Sequence, residues 1–120
     1  MNIEELKNKI ELKERELKEL KEELKNINNY ETVAVIDTNA TIKRYETIKS
    51  KIKEICRDIK VFEELGIKKL AYKIQENKEA FYLRFEWEGI GDTLLELEKY
   101  FRENDYVLKF ITIRKNDEEE

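Results

Sequence analysis

After residue 29 the chain alternates between the hydrophobic periodicities of strands and helices, and this order limits the fold more than any other feature of the sequence. Residues 30–36 are rich in β-branched side chains, which are typical of a strand. From residue 40 to about residue 59, apolar side chains recur at spacings of three and four, so this segment is predicted to be an amphipathic helix. Residues 60–75 then predict a long strand, and Gly66 in its middle suits a bend or a bulge.

The remainder of this region predicts two more strands and one more helix. Residues 80–88 alternate strictly between apolar and polar side chains, which predicts a strand with one strongly apolar face. A helix with Leu94 and Phe101 in its apolar stripe is predicted to end near residue 104, and residues 107–114 predict the last strand. The order β-α-β-β-α-β predicts an α+β, ferredoxin-like sandwich, with a four-stranded antiparallel sheet and two helices on one face.

Residues 1–29 predict a long amphipathic helix that precedes this domain. Its apolar residues follow the alternating spacing of a heptad repeat, which only Lys13 interrupts. They are Ile3, Leu6, Ile10, Leu17, Leu20, Leu24 and Ile27. A stripe this narrow stabilises a single helix poorly, so we expect a partner to cover it. Three partners remain open: a second copy of the chain, the chain's own domain, or a different protein.

Charge and periodicity divide the chain into a helix at 1–29, a domain at 30–114 and an acidic tail at 115–120. The net charge of −4 argues mildly against nucleic-acid binding. The segment 30–114, however, contains equal numbers of basic and acidic residues. Any affinity for RNA is therefore expected to come from local clusters of cations and not from the total charge.

The composition disfavours catalysis. The sequence has no histidine, which removes the Cys-His and Ser-His arrangements and most zinc sites. Cys56 is the only cysteine and lies among isoleucines, so we expect it to be a small buried hydrophobic residue. Gly89 and Gly91 lack the rest of a nucleotide-binding loop, and the carboxylates form no recognisable acid–base or metal spacing. We expect no enzymatic activity, no cofactor and no metal.

The hydropathy pattern bears on localisation. No run of about 18 consecutive apolar residues is present, and residues 1–5 are acidic, without the apolar core of a secretory signal. We expect a cytoplasmic protein that does not associate with membranes.

The segment 62–74 carries the most informative motif. Its sequence is Phe-Glu-Glu-Leu-Gly-Ile-Lys-Lys-Leu-Ala-Tyr-Lys-Ile. This resembles the long second strand of the bacterial ribosomal protein S6 family, in which a Gly, one residue and two mostly basic residues precede Leu-Ala-Tyr-x-Ile. Tyr30-Glu31 resembles the opening of the family's first strand, and residues 81–83 and 107–114 resemble its third and last strands. The resemblance covers about residues 29–115.

The sequence departs from the family pattern in three places. Lys73 stands where the family usually has proline, and Asn28 and Asn29 stand where basic residues are common. Most members begin at the first strand, so the helix at 1–29 is an addition.

The resemblance implies a structural constituent of the small ribosomal subunit. Such a protein would bind the central domain of small-subunit rRNA together with ribosomal protein S18, as a heterodimer. The residues that we expect to contact RNA on this basis are Tyr30, Lys68, Lys69, Tyr72, Arg84 and Arg114. Adjacent Lys68 and Lys69 would project to opposite faces of their strand, so at least one can reach a phosphate. Tyr72 could stack on a base.

Other roles remain open for some of these residues. Tyr30 could equally pack at the strand edge, and Tyr72 could be a core or sheet-face aromatic residue. Arg84 could pair with Glu86 on the polar side of the same strand. An alternative function also remains, a non-ribosomal protein-interaction module of ferredoxin-like fold that dimerises through the helix at 1–29.

Overall fold

The computed structural model describes residues 1–115, and these form three helices and four strands. In chain order they are α1 (Ile3–Lys25), β1 (Asn28–Asp37), α2 (Ile42–Ile55), β2 (Asp58–Ile74), β3 (Asn77–Gly89), α3 (Gly91–Glu103) and β4 (Val107–Lys115). The order after α1 confirms the predicted β-α-β-β-α-β pattern. Of the predicted acidic tail, Lys115 ends β4, and residues 116–120 lie outside the described residues.

The four strands form one antiparallel sheet in the order β2-β3-β1-β4. Alternate side chains of β1 and β3 face the two helices, as the strict alternation of residues 80–88 predicted. Leu83, Phe85 and Trp87 from β3 belong to the same buried cluster as Ile52 of α2 and Phe101 of α3. Both helices therefore cover one face of the sheet, and the other face, which we call the open face, carries the polar side chains of the central strands.

Trp87 lies at the centre of the packing between the two middle strands. Its ring stacks on Tyr30 with the ring centroids 4.5 Å apart, and the two residues are direct partners in the β1–β3 register. Its indole Nε1–H donates to the hydroxyl of Thr32 at 3.0 Å, and that hydroxyl lies 2.9 Å from the hydroxyl of Thr112 on β4. A Cβ at position 89 would lie 2.7 Å from the Trp87 ring, so this position requires Gly89.

The second helix is shorter than the sequence predicted. Thr41 caps α2 by accepting a hydrogen bond from the Arg44 amide, and the helix ends at Ile55 instead of continuing to about residue 59. Ile59 has the spacing of the helical stripe, but it lies in β2 and pairs with Trp87. Burial against a distant strand overrides the local periodicity here.

The second strand carries bulges, and Gly66 takes part in one of them. The β2–β3 register shifts between Glu64 and Gly66, and Gly66 has a φ of +83°, which favours glycine. At the other end of β2, Gln75 and Glu76 form the turn to β3 with φ values of +50° and +69°. Two-residue hairpin turns of this type favour Asn-Gly.

Helix α1 begins with a side-chain cap, since the amide of Glu5 donates to Asn2 Oδ1 at 2.7 Å. None of its residues is buried, so the apolar stripe is not covered by the chain's own domain. None of the helices within residues 1–115 has the length and apolar character needed to cross a membrane.

We expect Thr32→Val to destabilise the domain by about 1–3 kcal/mol, because the buried indole N–H of Trp87 would lose its acceptor while the side-chain volume stays nearly constant. Urea unfolding followed by the fluorescence of Trp87, the only tryptophan of the chain, measures this change. Thr112→Val is the matched control, with a smaller expected loss because Trp87 keeps its partner. Equal losses in the two variants would contradict this account.

Candidate RNA-binding surface

The predicted contact residues do not form one cluster, because they lie at opposite ends of the sheet. Lys68 pairs with Ala80 near the start of β3, whereas Tyr30 pairs with Trp87 near its end. Seven residues of strand separate these two positions, a distance of roughly 23 Å. The far end of the β2–β3 hairpin carries Lys68, Lys69 and Tyr72, and the opposite end of the sheet carries Tyr30 and Arg114.

The hairpin presents cations and one aromatic ring to solvent. Lys68 shares the open face with its partner Ala80, and Lys69 projects from the helix-covered side with its partner Glu79, which agrees with the predicted opposite orientations. Both lysines are exposed. Tyr72 is 85% exposed, so its ring does not belong to the core. An exposed aromatic ring beside cations can stack on a base while the cations bind phosphates.

Two further lysines belong to the same surface. Lys73 and Lys78 flank the Gln75-Glu76 turn, and both are exposed. We define the hairpin surface as Lys68, Lys69, Tyr72, Lys73 and Lys78. Lys73 and Lys78 were not among the predicted contacts, although a two-residue turn between paired strands would have placed them together. Lys73 lies 4.0 Å from Glu76, an exposed ion pair that solvent weakens.

Tyr30 occupies the core. It is 4% exposed because β1 is a central strand and the ring packs on Trp87. Its hydroxyl accepts a hydrogen bond from Asn28 Nδ2 at 3.4 Å. Tyr30 therefore packs, but in the core on a central strand and not at a strand edge as the sequence had suggested.

Arg84 lies at the centre of an ion-pair network on the open face. Its Nε donates to Glu31 Oε2 at 2.5 Å and its Nη1 to Glu63 Oε1 at 2.8 Å, and Nη2 donates to Glu86. The pairing with Glu86 is confirmed, and the two adjacent strands each add a carboxylate. Lys115 Nζ lies 3.4 Å from Glu86. Three carboxylates against two cations give this patch a net negative charge, which disfavours phosphate.

The ion-pair network shifts the pKa values of Arg84 and Glu86. The hydrogen bond to Glu31, followed by those to Glu63 and Glu86, raises the pKa of Arg84, so the guanidinium stays charged. The hydrogen bond from Arg84 holds the pKa of Glu86 below the ordinary value of 4.5. The guanidinium is thus committed to carboxylates in the folded chain.

Arg114 lies at the end of the sheet where α1 joins the domain. It pairs with Tyr30 in the β1–β4 register and is exposed. It lines a cleft together with Glu23 of α1 and Asp92 of α3, among other residues. Its surroundings therefore differ from those of the hairpin lysines.

Cys56 is buried at the end of α2, as predicted. Burial raises the pKa of its thiol to about 12, so the thiol stays protonated at neutral pH and is a poor nucleophile.

Comparison with known proteins decides the family. A family model described as Ribosomal protein S6 matches residues 29–114, which is most of the chain. The chain belongs to the ribosomal protein S6 family. The match begins at residue 29, so α1 lies outside it.

Individual members of the ribosomal protein S6 family resemble the chain over the same region. The small ribosomal subunit protein bS6 of Christiangramia forsetii is 34% identical over 96 residues, which cover 73% of this chain and 82% of that protein. The protein of the same description from Caldanaerobacter subterraneus subsp. tengcongensis is 36% identical over 93 residues, with 74% and 98% covered. The crystal structure of 30S ribosomal protein S6 from Thermotoga maritima has a TM-score of 0.71 at 26% identity, and the match covers 76% of this chain and 90% of that one. This likeness confirms the predicted fold.

We expect Arg84→Met to destabilise the domain at pH 7, because Glu31, Glu63 and Glu86 would lose their shared partner. The pKa of Glu86 is lowered in the folded state, so its contribution to stability is present above about pH 4.5 and is lost as the pH falls through the lowered value. The difference in urea midpoint between wild type and variant should therefore narrow from pH 7 to pH 3.

Lys60→Met provides the control for this measurement, since it removes one exposed ion pair with Glu88 at 3.6 Å and should leave the midpoint nearly unchanged at both pH values. A difference between wild type and Arg84→Met that stays constant with pH would contradict the assigned role of the network.

Proposed function

We propose that this chain is a structural constituent of the small ribosomal subunit in the cytoplasm. The observation that carries the proposal is its membership of the ribosomal protein S6 family over residues 29–114. The same membership supports a structural role without enzymatic activity, as the sequence predicted. The division of the chain into a helix at 1–29, a domain at 30–114 and a tail at 115–120 is kept as part of this proposal.

We further propose that the chain binds the central domain of small-subunit rRNA through the hairpin surface. Four exposed lysines lie on the hairpin within a few residues of an exposed tyrosine. Cations on both faces of a strand can hold a folded RNA backbone without reading its sequence. Glu76 and Glu79 reduce the positive charge only in part, so the hairpin surface remains cationic within a neutral domain.

The remaining predicted contacts have less support from the structure. Arg84 is held by three carboxylates, and Tyr30 is buried, so an RNA contact by either would require other interactions to be broken. Arg114 is exposed and could contact RNA only at the opposite end of the sheet from the hairpin. We therefore assign the main RNA contact to the hairpin surface and keep these three residues as secondary candidates.

We propose ribosomal protein S18 as the protein partner, on the basis of family membership alone. A basic partner would suit the open face electrostatically, because the network around Arg84 and Lys115 has a net negative charge. In this arrangement RNA and protein would bind to different parts of the domain.

The test is binding of the full chain to a fragment of the rRNA central domain, with and without S18, at several salt concentrations. We expect the double variant Lys68→Ala, Lys69→Ala to lower the affinity and to reduce the slope of log affinity against log salt by about 1 for each lost phosphate contact. Wild-type affinity should increase when S18 is present.

A matched double variant separates a local contact from an effect of total charge. Lys60→Ala with Lys99→Ala removes the same charge from exposed positions outside the hairpin surface and should leave the salt slope unchanged. An unchanged slope in the Lys68, Lys69 variant would refute the hairpin contact. No effect of S18 on wild-type affinity would refute the joint binding.

A further inference from the structure

The apolar stripe of α1 is the largest feature of the chain that the ribosomal role does not explain. The helix is about 35 Å long and lies outside the range that the family model matches. All seven stripe residues are exposed, and the least exposed, Ile27, still shows 44% of its surface to solvent. A helix without tertiary packing is only marginally stable, so association along the stripe would stabilise it.

We propose that two copies of this chain associate through α1 as a parallel, in-register, two-stranded coiled coil. This inference does not depend on RNA binding. It goes beyond the possible self-association predicted from the sequence, because the charges beside the stripe select the orientation of the two helices.

The heptad positions follow from the spacing of the stripe. With positions written abcdefg, the a positions are Ile3, Ile10, Leu17 and Leu24, and the d positions are Leu6, Lys13 and Leu20. Ile27 has the spacing of the next d position but lies beyond the end of α1 at Lys25. The g positions inside the helix are Lys9, Glu16 and Glu23, and the e positions are Lys7, Glu14 and Lys21. The a and d positions form the seam that faces the partner helix. Residues at e and g flank this seam and set the choice and orientation of the partner.

In a parallel pair, each g residue faces the e residue five positions later on the other chain. Lys9 then faces Glu14, and Glu16 faces Lys21, and the twofold symmetry repeats both contacts. All four charged contacts between e and g positions are attractive. In the seam itself the two copies of Lys13 share one d layer, so their ammonium groups extend to solvent on opposite sides of the pair.

An antiparallel pair with the same overlap is unfavourable. Residues at g then face g, and residues at e face e, so Glu14 and Glu16 each meet their own copies and Lys7 meets Lys21. Only Lys9 and Glu23 attract each other. An antiparallel pair shifted by one heptad places Lys7 opposite Glu14 and Lys9 opposite Glu16, which is attractive. It leaves Leu24 outside the overlap, so it buries less of the stripe.

Two structural facts support a pair of chains. Lys13 is the single polar residue in the seam, and a lysine there can extend to solvent in a dimer more easily than in the closed core of a tetramer. The domain meets the end of α1 along a cleft that Glu23, Lys25 and Asn26 line, and Leu24 in the seam stays 66% exposed. The position of the domain therefore leaves the seam open.

A pair of leucines on α1 provides a matched test of the seam. Leu12 and Leu17 are 52% and 53% exposed, but Leu17 lies at an a position and Leu12 at a c position on the outer side. In analytical ultracentrifugation of the full chain, we expect Leu17→Ala to weaken the dimer at least ~10-fold and Leu12→Ala to change it by less than ~3-fold. Alanine favours helix, so helicity of the monomer is preserved in both variants.

A wild-type chain that sediments as a monomer up to the highest soluble concentration would overturn the proposal. Equal weakening by the two substitutions would overturn the assignment of the seam. Unchanged Trp87 fluorescence in each variant shows that the domain itself is intact.

Charge reversal tests whether the two α1 helices are parallel or antiparallel. Lys9→Glu and Glu14→Lys, made singly, each create two like-charge contacts in a parallel dimer, and we expect each to weaken association roughly 3- to 30-fold. The double variant restores opposite charges between positions 9 and 14 and should regain wild-type affinity. In either antiparallel arrangement, position 9 faces a glutamate on the other chain, so the double variant would stay weak, and that result would refute the parallel dimer.

Glu22→Lys is the control for charge alone. It lies at an f position, away from the seam, and should leave the dimer affinity nearly unchanged.

Discussion

The burial of Trp87 between the two central strands is the constraint on which the rest of the domain depends. A large aromatic ring with a polar N–H can be buried only where that N–H finds an acceptor, and Thr32 supplies it from the neighbouring strand. Thr32 in turn contacts Thr112, so one chain of hydrogen bonds crosses β3, β1 and β4. A one-residue slip would turn Trp87 to the open face and break this chain, so the register of three strands is fixed together.

The fixed register separates the surfaces of the domain. At the Trp87 end of the sheet, the chain continues into α1, and at the other end the hairpin carries exposed lysines. Between them, the open face is occupied by carboxylates bound to Arg84 and Lys115. A cationic tip, an acidic face and an apolar helix thus lie at different places on the chain, so each can serve a different partner.

The sequence was sufficient for the order of elements, the bulge near Gly66 and the buried side of residues 80–88, because each of these follows from local periodicity. The sequence was insufficient where a residue on another strand determines the position or the partners of a side chain. Ile59 continues the helical spacing, yet Trp87 holds it in β2. Tyr30 could be assigned to the core only once β1 was known to be a central strand. The ion pairs of Arg84 with Glu31 and Glu63 form only because their strands are paired. The division of the predicted contact residues between two ends of the sheet could not be predicted, because it depends on strand pairing.

The bulge before Gly66 determines which face of the sheet each lysine near the tip of β2 occupies. On one side of it Glu63 shares the open face with Arg84, and on the other side Lys68 lies on that face while Lys69 lies on the opposite one. If β2 paired with β3 without this bulge, the residues beyond it would shift by one in register, and every side chain from there to the tip of the hairpin would turn to the other face. Because two lysines stand side by side, the inversion would only exchange them, and each face would keep a cation. The repeated lysine thereby makes the charge pattern of this strand tolerant of a one-residue shift in the β2–β3 register.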